Sequence, residues 1–184
     1  MQSQSKTSLR TADIAYIGLF VAVMAVCSWI SIPAAVPFTL QTFAVFVTVG
    51  LLGGKRGTIT VAAYIIAGTI GLPVFAGFSG GPGALFGSAG GYIAGFFFSA
   101  LVMWAITANF GEKTWVLGLS MVLGLIVCYA FGTAWYMLMY MASTGPIGLA
   151  TVLGWCVFPF IIPDLCKIGL ALFLTRQLKR YIRL

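Results

Sequence analysis

The chain has 184 residues, 61% of them hydrophobic and only 7% charged, with a mean hydropathy of +1.08. A soluble domain carries about 25% charged residues, so the composition excludes a soluble fold and predicts one integral membrane domain over 1–184. There is no histidine, which excludes His-based acid–base catalysis, the Ser-His-Asp triad and His metal sites.

The net charge of +7 reads as cytoplasmic ends against anionic lipid, not as a nucleic-acid surface. Cys27, Cys128, Cys156 and Cys166 form no C-x-x-C pair. They read as packing residues, so neither a metal nor a redox cofactor is expected.

Residues 1–11 are polar and basic, with Lys6 and Arg10. The apolar run 14–32 is long enough for a first span, which needs about 20 residues. It is long for a cleaved signal peptide and no A-x-A site closes it. Gly18 and Ala22, flanked by Ala15 and Ala25, form a small-residue stripe at helical spacing. Such a stripe admits a second helix closely; the helix it admits belongs either to a partner or to this chain.

A turn from Pro33 to Pro37 leads to a short second span over 40–52. Gly53-Gly54-Lys55-Arg56-Gly57 is expected as a tight basic loop. It fails the phosphate-loop pattern, because Val49 stands where the first Gly is needed and Arg56 where Ser or Thr is needed. The third span covers 58–72.

Residues 73–91 differ in character. Seven of the nineteen are glycine, Phe75, Phe78 and Phe86 are interleaved, and no charge occurs. A flexible linker would be Ser-rich and polar; the aromatics point to a loop folded over something apolar, as a lid is. The alternative is an ordinary membrane-surface connection.

The fourth span is 92–109, and the long fifth is 115–141, which must tilt or protrude. Trp135, Tyr136 and Tyr140 near its end read as an aromatic interface belt. In the sharper reading Tyr136 and Tyr140, at i and i+4, share a face and line a site. The sixth span is 157–175, closed by Arg176, Lys179, Arg180 and Arg183.

The expected fold is therefore an all-α bundle of six transmembrane helices. With six spans, every basic connection falls on one side, while the connections around 33–39, 73–91 and 142–156 carry no charge. The positive-inside rule then puts both termini in the cytoplasm of a multi-pass protein. Five or seven spans would break that segregation. No tail exceeds about a dozen residues, so no separate soluble module is expected.

The acids are three: Asp13, Glu112 and Asp164. The first two sit near expected interfaces, whereas Asp164 lies inside the apolar run Phe158–Lys167. Lys167 follows by three residues, so both side chains share one helical face. A charge at membrane depth costs a few kcal/mol or more and normally faces a cavity or partner. Asp164 lies twelve residues above Arg176, about 18 Å along a helix, which is past the midplane toward the outside. A charged pair beneath a Gly-aromatic loop is what a pocket for a small polar solute captured from outside requires. The alternative role is an ion pair that only holds helices together.

Four segments carry a resemblance over nearly the whole chain: Val36-Pro37-Phe38-Thr39-Leu40-Gln41-Thr42, Gly71-Leu72-Pro73-Val74-Phe75, Gly90-Gly91-Tyr92, and Pro159-Phe160 leading to Asp164-Leu165-Cys166-Lys167. Together they resemble the BioY family, the biotin-binding membrane subunits (S components) of energy-coupling factor transporters. The resemblance implies capture of biotin from outside, in a bacterial plasma membrane. It also implies partners: a transmembrane coupling protein and two cytoplasmic ATPases, with the first-helix stripe Ala15, Gly18, Ala22 and Ala25 against the coupling protein. The implied substrate-binding set is Asp164, Lys167, Gln41, Phe75, Phe78, Ser79, Ser88, Gly91, Tyr92, Tyr136 and Tyr140.

One segment departs from the family. The loop often reads Gly-Pro-Thr-Gly-Gly there, against Gly87-Ser88-Ala89-Gly90-Gly91 here, and it holds no arginine to pair with a carboxylate. Ser88 still offers a hydroxyl.

The residues fit a biotin-like ring on their own chemistry. A ureido ring presents two N–H donors and one carbonyl acceptor; ionised Asp164 only accepts and Lys167 only donates. Other classes are weaker. A capture subunit for thiamin or riboflavin needs the same architecture. A self-sufficient proton-coupled carrier lacks an evident inverted repeat. An intramembrane enzyme lacks an acid–base pair, and a structural adaptor has no use for a buried charge pair.

Overall fold

The structure is a computed structural model and describes residues 11–33 and 36–181. Lys6, Arg10, Arg183 and the centre of the Pro33–Pro37 turn lie outside the described residues. The elements are α1 (Thr11–Trp29), a ribbon of β1 (Ser31–Ile32) and β2 (Phe38–Thr39), α2 (Gln41–Thr69), a 3-10 turn (Ala76–Phe78), α3 (Pro82–Phe86), α4 (Gly90–Phe110), α5 (Thr114–Ser143), α6 (Leu149–Cys156) and α7 (Phe158–Leu178).

Four of these, α1, α4, α5 and α7, are long and apolar enough to cross a membrane. Their outward faces are apolar: Leu19, Phe98, Ile126 and Phe173 are all exposed. A soluble protein rarely leaves so wide an apolar girdle uncovered, whereas lipid covers it without penalty.

The expected second and third spans form the single element α2, and the expected basic loop between them shrinks to one residue. Gly53 alone is non-helical, at φ 78° and ψ 166°, a region glycine enters freely and other residues avoid. The helix folds back on itself there. Gln41 Nε2 donates to the Tyr64 hydroxyl at 2.7 Å across 23 residues, which a straight helix would hold about 34 Å apart. Gly57 lies directly against Val49. The two halves of α2 are thus an antiparallel hairpin, and Lys55 and Arg56 are helical residues just past its bend.

The first span ends earlier than expected, at Trp29. Pro33 forces the residue before it into extended backbone, and Ser31 and Ile32 pair antiparallel with Thr39 and Phe38. The expected 73–91 loop contains the 3-10 turn and α3, and the expected 142–156 connection contains α6. α7 carries Pro163 within it, which removes one i→i−4 hydrogen bond just before Asp164.

Charge collects at one end of the bundle. Asp13 near the start of α1 pairs with Arg56 at 2.9 Å. Glu112, in the α4–α5 connection, pairs with Lys179 beyond α7. Arg176 and Arg180 stand at the same end of α7. Among the described residues, Lys167 is the one base placed away from that end. The ribbon, residues 70–89 and α6 form the opposite, uncharged end.

Candidate functional site

At the uncharged end a cavity of about 270 Å³ opens, near the lower bound of small-molecule pockets, about 300 Å³. Its floor is the Asp164–Lys167 pair. Both side chains stand on α7 and meet at 2.7 Å as an i, i+3 ion pair, and the two residues are 3% and 7% exposed. Such burial is tolerable only where every charge is hydrogen-bonded, and here each is.

Asp164 Oδ1 accepts from Lys167 Nζ and from Thr42 Oγ1 at 3.0 Å. Oδ2 accepts from the Tyr129 hydroxyl at 2.6 Å. Lys167 Nζ also donates to the Thr39 carbonyl at 2.6 Å and, more weakly, to Thr42 Oγ1 at 3.3 Å. It lies 4.0 Å from the centre of the Phe38 ring, within cation–π range. The pair therefore joins α7 to the start of α2, to the ribbon and to α5.

The walls are apolar and aromatic. Phe38 stacks on Phe160 at 5.7 Å, and both line the cavity with Phe75, Tyr92, Ile93 and Phe96. Phe75 is buried, edge-on to Tyr64. Tyr92 donates from its hydroxyl to the Cys156 carbonyl at 3.1 Å, which ties α4 to α6. Burial pushes the Cys156 thiol up to about 11, so it stays neutral in the wall. Ser79, Gly87, Ser88 and Ala89 close the mouth. That rim is held by Trp135, whose Nε1 donates to the Gly87 carbonyl at 2.9 Å.

Of the residues singled out in the sequence, the structure brings Asp164, Lys167, Gln41, Phe75, Ser79, Ser88 and Tyr92 to this one cavity. Four stand elsewhere. Phe78 is exposed and stacks on Trp29 at 4.9 Å, clasping the loop to the end of α1. Gly91 is buried between α4 and α5, where a Cβ would sit 2.1 Å from Trp135 Cβ. Tyr136 and Tyr140 do share a face, their rings stacked at 6.1 Å. They line a second recess of about 290 Å³ with Phe86, Met139 and Ser143, which meets the first only at Ser88.

On α1, Ala15, Gly18 and Ala22 face outward, and the space a Gly18 side chain would occupy is open. Ala25 is buried instead; seven residues on from Gly18 it keeps to the same face, but it lies toward the end of α1 that the chain's own residues 73–78 pack against.

Sequence reading missed Tyr129, Thr42, Thr39 and Phe38. Three of these lie in the Val36–Thr42 segment, from which only Gln41 was singled out. Tyr129 had one weak signal, a phenol in mid-helix far from either expected interface.

Comparison with known proteins adds an independent line. The profile of the BioY family matches residues 1–184. The chain is 40% identical over 164 residues to "Biotin transporter BioY" of Thermotoga maritima, covering 89% of this chain and 93% of that one. It is 35% identical over 172 residues to "Probable biotin transporter BioY" of Pyrococcus horikoshii, covering 93% and 98%. Its fold matches a crystal structure of the S-component for biotin from an ECF-type ABC transporter, with a TM-score of 0.82 and 25% identity over 94% of this chain and 95% of that one.

Proposed function

Because the chain belongs to the BioY family, we propose that this multi-pass membrane protein is the biotin-capture subunit of an energy-coupling factor transporter. It is a transporter component and not an enzyme. The observation that carries the reading is the cavity: a hydrogen-bonded Asp164–Lys167 pair under aromatic walls, at the end of the bundle away from the charged connections.

The hydrogen-bond inventory supports a ureido ring at the floor. A carboxylate offers about four lone-pair sites, and the three bonds to Asp164 leave one on Oδ2. That site takes a ring N–H. The ring carbonyl accepts a hydrogen bond from Lys167 Nζ in place of the long contact to Thr42, the weakest of the three that Nζ makes. The thioether ring and pentanoate stem lie along Phe75, Tyr92 and Phe160.

The two halves of α2 serve as two short spans, which with α1, α4, α5 and α7 makes six in one domain over 1–184. Both termini are then cytoplasmic in the plasma membrane. This orientation agrees with the collection of Lys55, Arg56, Lys113, Arg176, Lys179 and Arg180 at one end. No nucleotide motif occurs in the chain, so the energy for transport comes from partners: a transmembrane coupling protein and two ATPases. The coupling protein docks on the exposed Ala15-Gly18-Ala22 face.

The test is uptake of labelled biotin by cells that lack their own biotin transporter. Co-expression of this chain with a coupling module should give uptake and joint purification. Neither uptake nor joint purification in cells that express every subunit would contradict the proposal.

A further inference from the structure

Resting on that reading, we infer that Tyr129 determines which kind of ring the site accepts: its hydroxyl keeps Asp164 suited to a neutral N–H donor and unsuited to a cation. The two oxygens of Asp164 are differently compensated. Oδ1 carries both the Lys167 ammonium, at 2.7 Å, and Thr42. Among the described residues no cation donates to Oδ2, whose one hydrogen bond comes from the Tyr129 hydroxyl at 2.6 Å. That distance is in the range of charge-assisted O–H···O⁻ bonds, which are about twice as strong as neutral ones.

Oδ2 is also the oxygen with an open lone-pair site, so it is the one a ligand meets. Tyr129 itself lines the cavity and is half-buried on α5, so its hydroxyl is spent where the ligand docks. A buried carboxylate oxygen stripped of that bond, among aromatic walls, carries more uncompensated negative charge. It then favours a positively charged partner over a neutral one.

The experiment compares two ligands of nearly the same shape on the detergent-purified full chain. Biotin has a neutral ureido ring; 2-iminobiotin carries a guanidinium there at neutral pH. Dissociation constants for both are measured on the wild type and on Tyr129→Phe, which removes one oxygen and keeps the ring. The ratio of the two constants should move toward the cationic analogue by about tenfold, the size of one hydrogen bond to a charged group. Replacing Tyr129 with 4-aminophenylalanine keeps a neutral N–H donor at the position of the hydroxyl and should hold the ratio nearer the wild-type value, which provides a second reading should Tyr129→Phe fail to fold. An unchanged ratio in Tyr129→Phe, with only a lower unfolding temperature, overturns the inference, as does a ratio shifted by tenfold or more in the 4-aminophenylalanine variant. A wild type that binds neither ligand contradicts the biotin reading itself, which keeps the two failures apart.

Discussion

Asp164→Asn is the substitution whose consequences the structure defines most fully. Asparagine keeps the shape, removes the charge and turns one acceptor into a donor. Its amide oxygen must face Lys167 and Thr42, which sit at 2.7 and 3.0 Å and both donate. Its nitrogen then replaces Oδ2. The Tyr129 hydroxyl can rotate to accept from it, so the local network survives. The open site does not: where a ring N–H would dock, the variant presents another N–H.

The ligand loses a hydrogen bond to a charged group, about 1.5–3 kcal/mol. Affinity should therefore fall at least about tenfold. Lys167 is left as a buried cation without its counter-ion, and breaking a buried pair costs about 3–5 kcal/mol. The Thr39 carbonyl stays at 2.6 Å, so the lower end of that range applies. Binding by calorimetry and thermal unfolding in detergent, on the same preparations, report the two effects separately. Lys167→Met should act in the same direction on both. Lower stability with unchanged affinity would mean the pair only joins helices; native affinity in a folded Asp164→Asn protein would falsify the proposed ligand contact.

Three other outcomes are expected. Gly18→Trp and Ala22→Phe, which enlarge the exposed face of α1, should leave biotin binding intact and weaken joint purification with the coupling protein; unchanged assembly and uptake in both would make that face lipid-exposed surface only. Residues 76–89 should become protected from proteolysis when biotin is added, since the rim of the cavity lies in this stretch and Phe78 holds a positive φ of 56°, a strained conformation for a bulky residue; equal cleavage with and without ligand would count against a lid. Gly91→Ala should destabilise the protein by about 1–3 kcal/mol through overpacking, because its Cβ would meet Trp135 and the Phe131 carbonyl; an unfolding temperature equal to the wild type would show that α4 and α5 separate more easily than their packing implies.

The readable parts of the chain are those whose signal is local. Asp164 and Lys167 stand out because a charge in an apolar run needs an explanation, and three residues of separation on a helix put them on one face. The partners that satisfy the pair are distant in sequence, 122 residues away for Thr42 and 35 for Tyr129. A hydroxyl in a membrane helix is cheap enough to occur anywhere, so nothing local marks these two.

Tyr136 and Tyr140 illustrate a different limit. Helical spacing gives their shared face, but not the direction in which α5 presents it, and that is set by the close approach of α4 at Gly91. The sequence predicts a loop of five residues at the Gly53 bend, because five consecutive residues there are Gly or basic. One positive φ is enough to reverse the chain, and the helix resumes at once. Ala25 shares the face of the small-residue pattern by spacing, yet it lies toward the end of α1 that the distant residues 73–78 pack against, which nothing local announces.

The central claim is that the cavity takes biotin, and equilibrium binding on purified protein tests it most directly. The chain is titrated in detergent with biotin, thiamin and riboflavin under one set of conditions. Biotin should bind saturably with one site per chain, and the other two should not compete at a hundredfold excess. Saturable binding of thiamin or riboflavin in preference to biotin, or no binding of biotin by a protein that unfolds cooperatively, would contradict it.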